Sequence, residues 1–196
     1  MSEATTKLIH HNLDVNSWLK IDPDVDAARP SHCPGCSKPA YVGSRLRLHG
    51  HGRRQRTLWG PSEVDARPEI RTVLARRYRC VDCVSVCTVV PRGIARRFLY
   101  GLAAIAVALL LWGLRSWTPA QTRAVVSPNS LVGLCEPDRW RSLSRWSRRA
   151  PELFALPKAR VATDREAACR VAHVLIARGP PGVEQRRRAF VGAHTR

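Results

Sequence analysis

The spacing of apolar positions changes period once along this chain, near Pro91. Before that point apolar and polar residues alternate from Ser44 to Leu48, Arg53 to Trp59 resumes in extended style, Thr72 to Arg79 leads a third strand and Val84 to Val90 a fourth with valines at alternate positions. A period of two marks half-buried strands, and Gly or Pro between the runs marks where they stop. His49-Gly-His-Gly52 is expected to form a turn, and Gly60-Pro61 and Pro91 to end strands. The expectation is a small antiparallel sheet.

Beyond Pro91 the pattern becomes helical. Phe98 to Leu114 is a run of 17 residues without a charge, bracketed by Arg96-Arg97 and Arg115. As a helix it would be about 25 Å long, short of the roughly 30 Å needed to cross a bilayer. It is therefore read as a buried core helix. The rival reading makes residues 98–114 the span of a single-pass membrane protein with a cytoplasmic zinc ribbon. Thr118-Pro119, a cap followed by a first-turn proline, opens a short helix ending near Val126. Glu136-Pro137 opens another, Asp138 to Ala150, after a linker. A further helix is expected from Thr163 to Ala177, with Asp164 and Glu166 in its first turn. Helix, short helix, linker and basic helix is the order of a helix-turn-helix module, whose last helix enters the major groove. The alternative is an amphipathic helix with solvated arginines.

The fold class predicted is α+β, a small antiparallel zinc ribbon followed by a helix-turn-helix-like bundle. Its parts are an acidic, flexible leader (1–26), the ribbon (27–92), the bundle (93–150) and a helical, basic tail (151–196). The leader is net −3, with Glu3, Asp14, Asp22, Asp24 and Asp26 against Lys7 and Lys20.

Charge narrows the choice of partner. With 33 Lys plus Arg against 15 Asp plus Glu, the chain carries +18 and has a pI near 11.1. Such a field favours polyanions. The excess is almost wholly arginine, whose planar fork grips phosphate or guanine in a bidentate fashion. Arg53, Arg54, Arg56, Arg76, Arg77 and Arg79 fall on the predicted strands and are expected to contact phosphates. Arg139, Arg141, Arg145, Arg148 and Arg149 crowd one helix, with Arg139, Arg141 and Arg145 the expected base readers of double-stranded DNA. Arg186 to Arg188 add a basic cluster suited to holding phosphates.

The most specific chemistry lies in two cysteine pairs of identical spacing, Cys33-Pro-Gly-Cys36 and Cys80-Val-Asp-Cys83. Two such turns supply the four thiolates of a closed, tetrahedral structural Zn²⁺ site. A redox dithiol is the competing reading, but nothing like a βαβ unit surrounds either pair. Seven cysteines, an odd number with no signal peptide ahead of them, point to a reducing, cytoplasmic setting rather than a secreted disulfide framework. Cys87, Cys135 and Cys169 are expected to be free thiols, with Cys87 a reserve ligand. His49, His51 and His32 suit a turn or a phosphate contact better than a coordination sphere already filled by four thiolates.

Together, Cys33-Pro-Gly-Cys36, Leu48-His-Gly-His-Gly-Arg53, Arg77-Tyr-Arg-Cys-Val-Asp-Cys83, Thr88-Val-Val-Pro-Arg92 and the helix from Tyr100 to Trp112 resemble zinc-ribbon proteins associated with bacterial insertion sequences. These look like the N-terminal region of certain transposases, and the likeness covers about residues 30 to 150. Ser37 and Val84 stand where such ribbons often have glycine after each cysteine pair. The resemblance implies DNA binding at transposon ends or a related regulatory site, with a separate transposase or integrase as a further partner. It confers no transposase activity. The acids after residue 92, Glu136, Asp138, Glu152, Asp164, Glu166 and Glu184, lie on expected helices or loops, whereas a two-metal strand-transfer site needs three carboxylates on a ribonuclease-like α/β fold. No GxSxG, phosphate-cradling loop or HExxH is present. Cys169 and His173, one helical turn apart, are assigned to packing. A non-enzymatic protein is the expectation, with a protein-interaction adaptor as another reading.

Overall fold

The computed structural model describes residues 7–129 and 140–195, and the chain divides into two compact units. One consists of the chain up to Thr57 together with Thr72–Arg96, the other of Leu58–Arg71 together with Arg97 onward. The class is α+β: a mixed four-stranded sheet and, among the described residues, six α-helices.

β1 (Lys7–Asp14), β4 (Leu48–Pro61), β5 (Pro68–Cys80) and β6 (Val86–Arg92) form the sheet in the order β1-β6-β5-β4, with β1, β6, β4 up to Thr57 and β5 from Thr72 belonging to the first unit. β2 (Tyr41–Val42) and β3 (Arg45–Leu46) make a separate hairpin around Gly43. β5 and β6 are antiparallel, with Arg76 opposite Val89 and Tyr78 opposite Cys87. β1 runs parallel to β6, pairing Leu8 with Thr88 and Ile9 with Val89. The sheet is thus mixed rather than purely antiparallel. The extra strand comes from the segment expected to be a flexible leader.

That expectation is corrected from Lys7 onward, and the reason is physical. α1 (Val15–Ile21) is capped by Asp14, whose carboxylate accepts from the Ser17 amide at 2.8 Å. Trp18 is buried and its indole N–H donates to the Leu74 carbonyl at 3.2 Å. Asp22 then sits 2.7 Å from Arg76 Nη2, so the leader's acids answer the arginines of the sheet. Charge contrast that looked like a sign of separateness is in fact complementarity. A second correction concerns His49-Gly-His-Gly52, which lies within β4 instead of forming a turn.

In the second unit the apolar run is shorter as a helix than the sequence suggested. α2 (Leu102–Leu109) continues into one π-helical stretch, Leu110–Leu114. Leu102 through Leu111 are all buried, and α2 packs against α3 (Pro119–Val126), α4 (Ser142–Leu153), α5 (Asp164–Arg178) and α6 (Gln185–Gly192). Among the described residues no helix is long and apolar enough to cross a membrane, which overturns the single-span alternative. Its middle, Leu102 to Leu111, is apolar because other helices cover it, whereas Leu99 is exposed and the end from Trp112 is half-buried.

Close helix contact needs a missing side chain at one point. A Cβ at Gly113 would lie 2.5 Å from the Cys169 nitrogen and 2.8 Å from Ala168 Cβ, so only glycine lets the π-helical stretch lie against α5. Tyr100 anchors an aromatic cluster with ring-centroid distances of 4.9 Å to Trp146, 5.5 Å to Trp59 and 5.9 Å to Trp140. Edge-to-face pairs of this kind add about 0.5–1.5 kcal/mol each beyond their buried area. The Tyr100 hydroxyl finds Ser127 Oγ at 2.8 Å.

Thr118 caps α3 with a reciprocal capping box to Gln121, as the Thr-Pro signature foretold. α5 begins one residue beyond its Thr163 cap. α4 occupies residues 142–153 instead of 138–150. α6 was not anticipated. Arg139, Cys135, Glu3, Glu136, Asp138, the Glu136-Pro137 helix start and most of the linker before it lie outside the described residues.

Candidate metal centre and basic surfaces

The two cysteine pairs, 43 residues apart in sequence, meet in the first unit. Cys33 and Cys36 stand on a turn just before β2, and Cys80 ends β5 with Cys83 in the turn before β6. All four sulfurs lie within 4.8 Å of one another, with Cys33 Sγ to Cys83 Sγ at 3.6 Å and Cys36 Sγ to Cys80 Sγ at 3.9 Å. A tetrahedral ion with Zn–S bonds of about 2.3 Å sets its sulfurs about 3.8 Å apart. The donor set fits. Four thiolates could bind a metal ion such as zinc and leave no position for water or substrate, the signature of a structural site.

Local backbone chemistry shapes both turns alike. The Ser37 amide donates to the Cys33 carbonyl at 2.8 Å, the Cys33 amide to the Lys38 carbonyl at 2.8 Å, and the Cys80 amide to the Ser85 carbonyl at 3.0 Å. The residue after each pair is left-handed, Ser37 at φ 58° and Val84 at φ 59°. The turn geometry that glycine usually serves is therefore kept by two residues that resist it, at a cost of about 1–2 kcal/mol for each. Gly35 serves a different need, since a Cβ there would lie 2.4 Å from Ser85 Oγ and 3.1 Å from Cys83 Sγ.

Three neighbours of the thiols were not foreseen. Ser85 Oγ lies 3.0 Å from Cys83 Sγ and 3.4 Å from Cys33 Sγ, and the Gly35 amide donates to Cys33 Sγ at 3.3 Å. Asp82, between the second pair, is ion-paired to Arg47, and the Val81 amide donates to the Arg47 carbonyl at 3.0 Å. These contacts tie the second turn to the segment after the first. Gly35 and Asp82 had a signal in the sequence, their places inside the two motifs, and Ser85 had none.

The thiols differ in proton affinity. Burial raises Cys33, but hydrogen bonds from Ser85, the Cys36 and Gly35 amides and Cys83 outweigh it and bring its pKa down to about 6. The Ser85 hydroxyl likewise lowers Cys83. The Lys38 amide favours the Cys36 thiolate, yet burial and the three neighbouring thiols push it up to about 11. One sulfur gives up its proton readily and another resists, which is how like charges in one cluster divide. Cys87 stands apart, buried in β6 beside Tyr78, and burial pushes it up to about 11. It belongs to the sheet core and not to the cluster. Among the described residues the four-cysteine set is the one group of three or more His, Cys, Asp or Glu that could hold a metal. His32, His49 and His51 are exposed and outside it, His49 Nε2 lying 3.1 Å from the Leu46 carbonyl.

The arginines assigned to DNA fall into distinct groups. Arg53 and Arg54 are exposed on the edge strand β4, and Arg79 is exposed near the end of β5. Arg56 is half-buried and donates to the Ala95 carbonyl, while burial lowers its pKa. Arg77 is half-buried. Arg76 is corrected: its side chain is 3% exposed, with Nε donating to the Pro23 carbonyl at 2.7 Å and Nη2 to Asp22 at 2.7 Å. Strand alternation turns it inward, away from the face shared by Arg77 and Arg79. In the second unit Arg141, Arg145, Arg148 and Arg149 are all exposed along α4 and its first-turn approach.

No family model, curated protein or solved structure matches the chain.

Proposed function

We propose that this is a zinc-dependent DNA-binding protein in which a zinc ribbon is built around a structural ion. It acts as an accessory or regulatory protein of a mobile element, has no catalytic centre of its own, and works in the cytoplasm on double-stranded DNA beside a separate transposase or integrase. The observation that carries this reading is the placement of arginines on regular elements in a chain of net charge +18: Arg53, Arg54 and Arg79 on strands, and Arg141, Arg145, Arg148 and Arg149 along one helix. The closed thiol set supports it as scaffold chemistry, since a filled tetrahedron offers folding energy and no reaction. The order α3 then α4 supports a helix-turn-helix-like use of the second unit.

Phosphate contacts from the exposed strand arginines supply affinity, and α4 supplies the docking element. The test is duplex binding by fluorescence anisotropy across a salt series. With about six phosphates neutralised, log affinity falls against log salt with a slope near −5. A flat response, or equal binding to an uncharged competitor, removes the reading.

A further inference from the structure

The four arginines of α4 do more than face solvent. Arg141, Arg145, Arg148 and Arg149, with Ser144 between them, line one cleft of about 430 Å³. They stand at steps of four, three and one along the helix, so their guanidinium groups gather on one flank. Like charges brought together in this way repel, and something must offset them.

The offset within the chain is partial. Arg148 is held by Asp164 in a two-pronged pair, Nε to Oδ1 at 2.9 Å and Nη2 to Oδ2 at 2.8 Å. Arg149 is held by Glu152, Nε to Oε2 at 2.7 Å. Among the described residues no carboxylate pairs with Arg141 or Arg145. Arg145 instead lies over the Phe98 ring at 5.2 Å, where Arg149 also approaches at 6.0 Å. Among the described residues, carboxylates answer two of the four positive charges. The guanidinium of Arg145 is steadied on an aromatic face, which lowers the entropy lost when it accepts a ligand.

The geometry points to a phosphate clamp: this cleft takes phosphoryl oxygens of a nucleic-acid backbone, and its arginines do not read bases. Reading a guanine edge requires a guanidinium fork that can reach out into a groove. Here two forks are committed to carboxylates and a third is laid on Phe98, an arrangement that matches a ligand brought to the helix surface. The inference rests on the DNA-binding reading above and changes what α4 contributes to it, from sequence choice to position.

The experiment uses the full, zinc-loaded chain and two duplexes of unrelated sequence, each with and without a 5′-phosphate, in a salt series. The variants are the double Arg141→Ala with Arg145→Ala, and the single Arg145→Gln, which keeps a polar stem near Phe98 and removes the charge. Far-UV circular dichroism and zinc content confirm that both are folded. The expected result is a slope shallower by about 2 for the double variant and about 1 for the single, equal on all four duplexes. An unchanged slope leaves the arginines merely solvated and overturns the clamp. Loss confined to one sequence means base reading, and loss confined to 5′-phosphorylated duplexes means a terminal phosphate; either overturns it. If the wild type ignores every duplex, the DNA-binding reading fails; if it binds steeply and both variants match it, only the clamp fails.

Discussion

Cys80→Ser is the substitution that most sharply probes the thiol cluster. Cys80 is buried and its sulfur lies 3.9 Å from Cys36 Sγ, so serine removes one of four donors without opening the site to solvent. A structural ion stabilises by RT ln(1 + [Zn]/Kd), about 4 kcal/mol at a thousandfold excess over Kd. The unit that holds the cluster is close to the 60–100-residue range in which 1 kcal/mol moves Tm by about 4–8 °C, so full loss of metal lowers Tm by roughly 15–30 °C. Cys87→Ser is the matched control, because Cys87 is equally buried in the adjoining strand and outside the cluster. It costs about 1–3 kcal/mol for a poorly partnered buried hydroxyl and leaves the metal in place. The assay pairs thermal melts, with and without a zinc chelator, with metal content by mass spectrometry. Cys80→Ser should lose zinc and its response to chelator, and Cys87→Ser should keep both. A wild type without zinc, or a chelator shift below about 5 °C, would refute the reasoning.

Other outcomes follow from the same geometry. Val84→Gly should raise stability by about 0.5–1 kcal/mol, since relief of a left-handed valine at φ 59° exceeds the added flexibility of glycine in the unfolded chain; a lower Tm would show that this turn is not held as described. Arg76→Ala should destabilise by about 1–3 kcal/mol, chiefly by leaving the Pro23 carbonyl without its buried donor, since Asp22 is half-exposed and keeps Arg53 at 3.3 Å, whereas Arg54→Ala, on an exposed residue, should change Tm little. Comparable losses in chemical denaturation would contradict that ordering. Burial pushes Tyr78 up to about 12, although Arg29 and Arg76 oppose it. A raised folded pKa means a contribution present below the unfolded value of about 10 and lost as pH climbs from about 10 to 12. Tyr78→Phe should flatten the stability profile in that window, and an unaltered profile would reject the assignment.

The thiol set, the strands β4, β5 and β6 and most of the helices were legible because their signals are local. CxxC spacing dictates a turn, alternation dictates a strand, and Thr118-Pro119 and Thr163 dictate helix starts, each within a few residues. What misled was the segment rich in local signals whose outcome depends on a distant partner. The acidic leader had no way of showing that Asp22 lies against Arg76, 54 residues on, or that β1 pairs with β6. Gly52 and its neighbours carry turn chemistry, yet β5 alongside holds them extended in β4. The apolar run from Phe98 was ambiguous in sequence because hydrophobicity does not distinguish lipid from protein, and only the packing of α3 to α6 around α2 decided it. By itself the sequence determined which atoms can hold a metal and how much positive charge seeks an anion. Tertiary structure decided which arginines remain available, because burial of Arg76 and capture of Arg148 and Arg149 by carboxylates are settled by through-space neighbours that no linear spacing encodes.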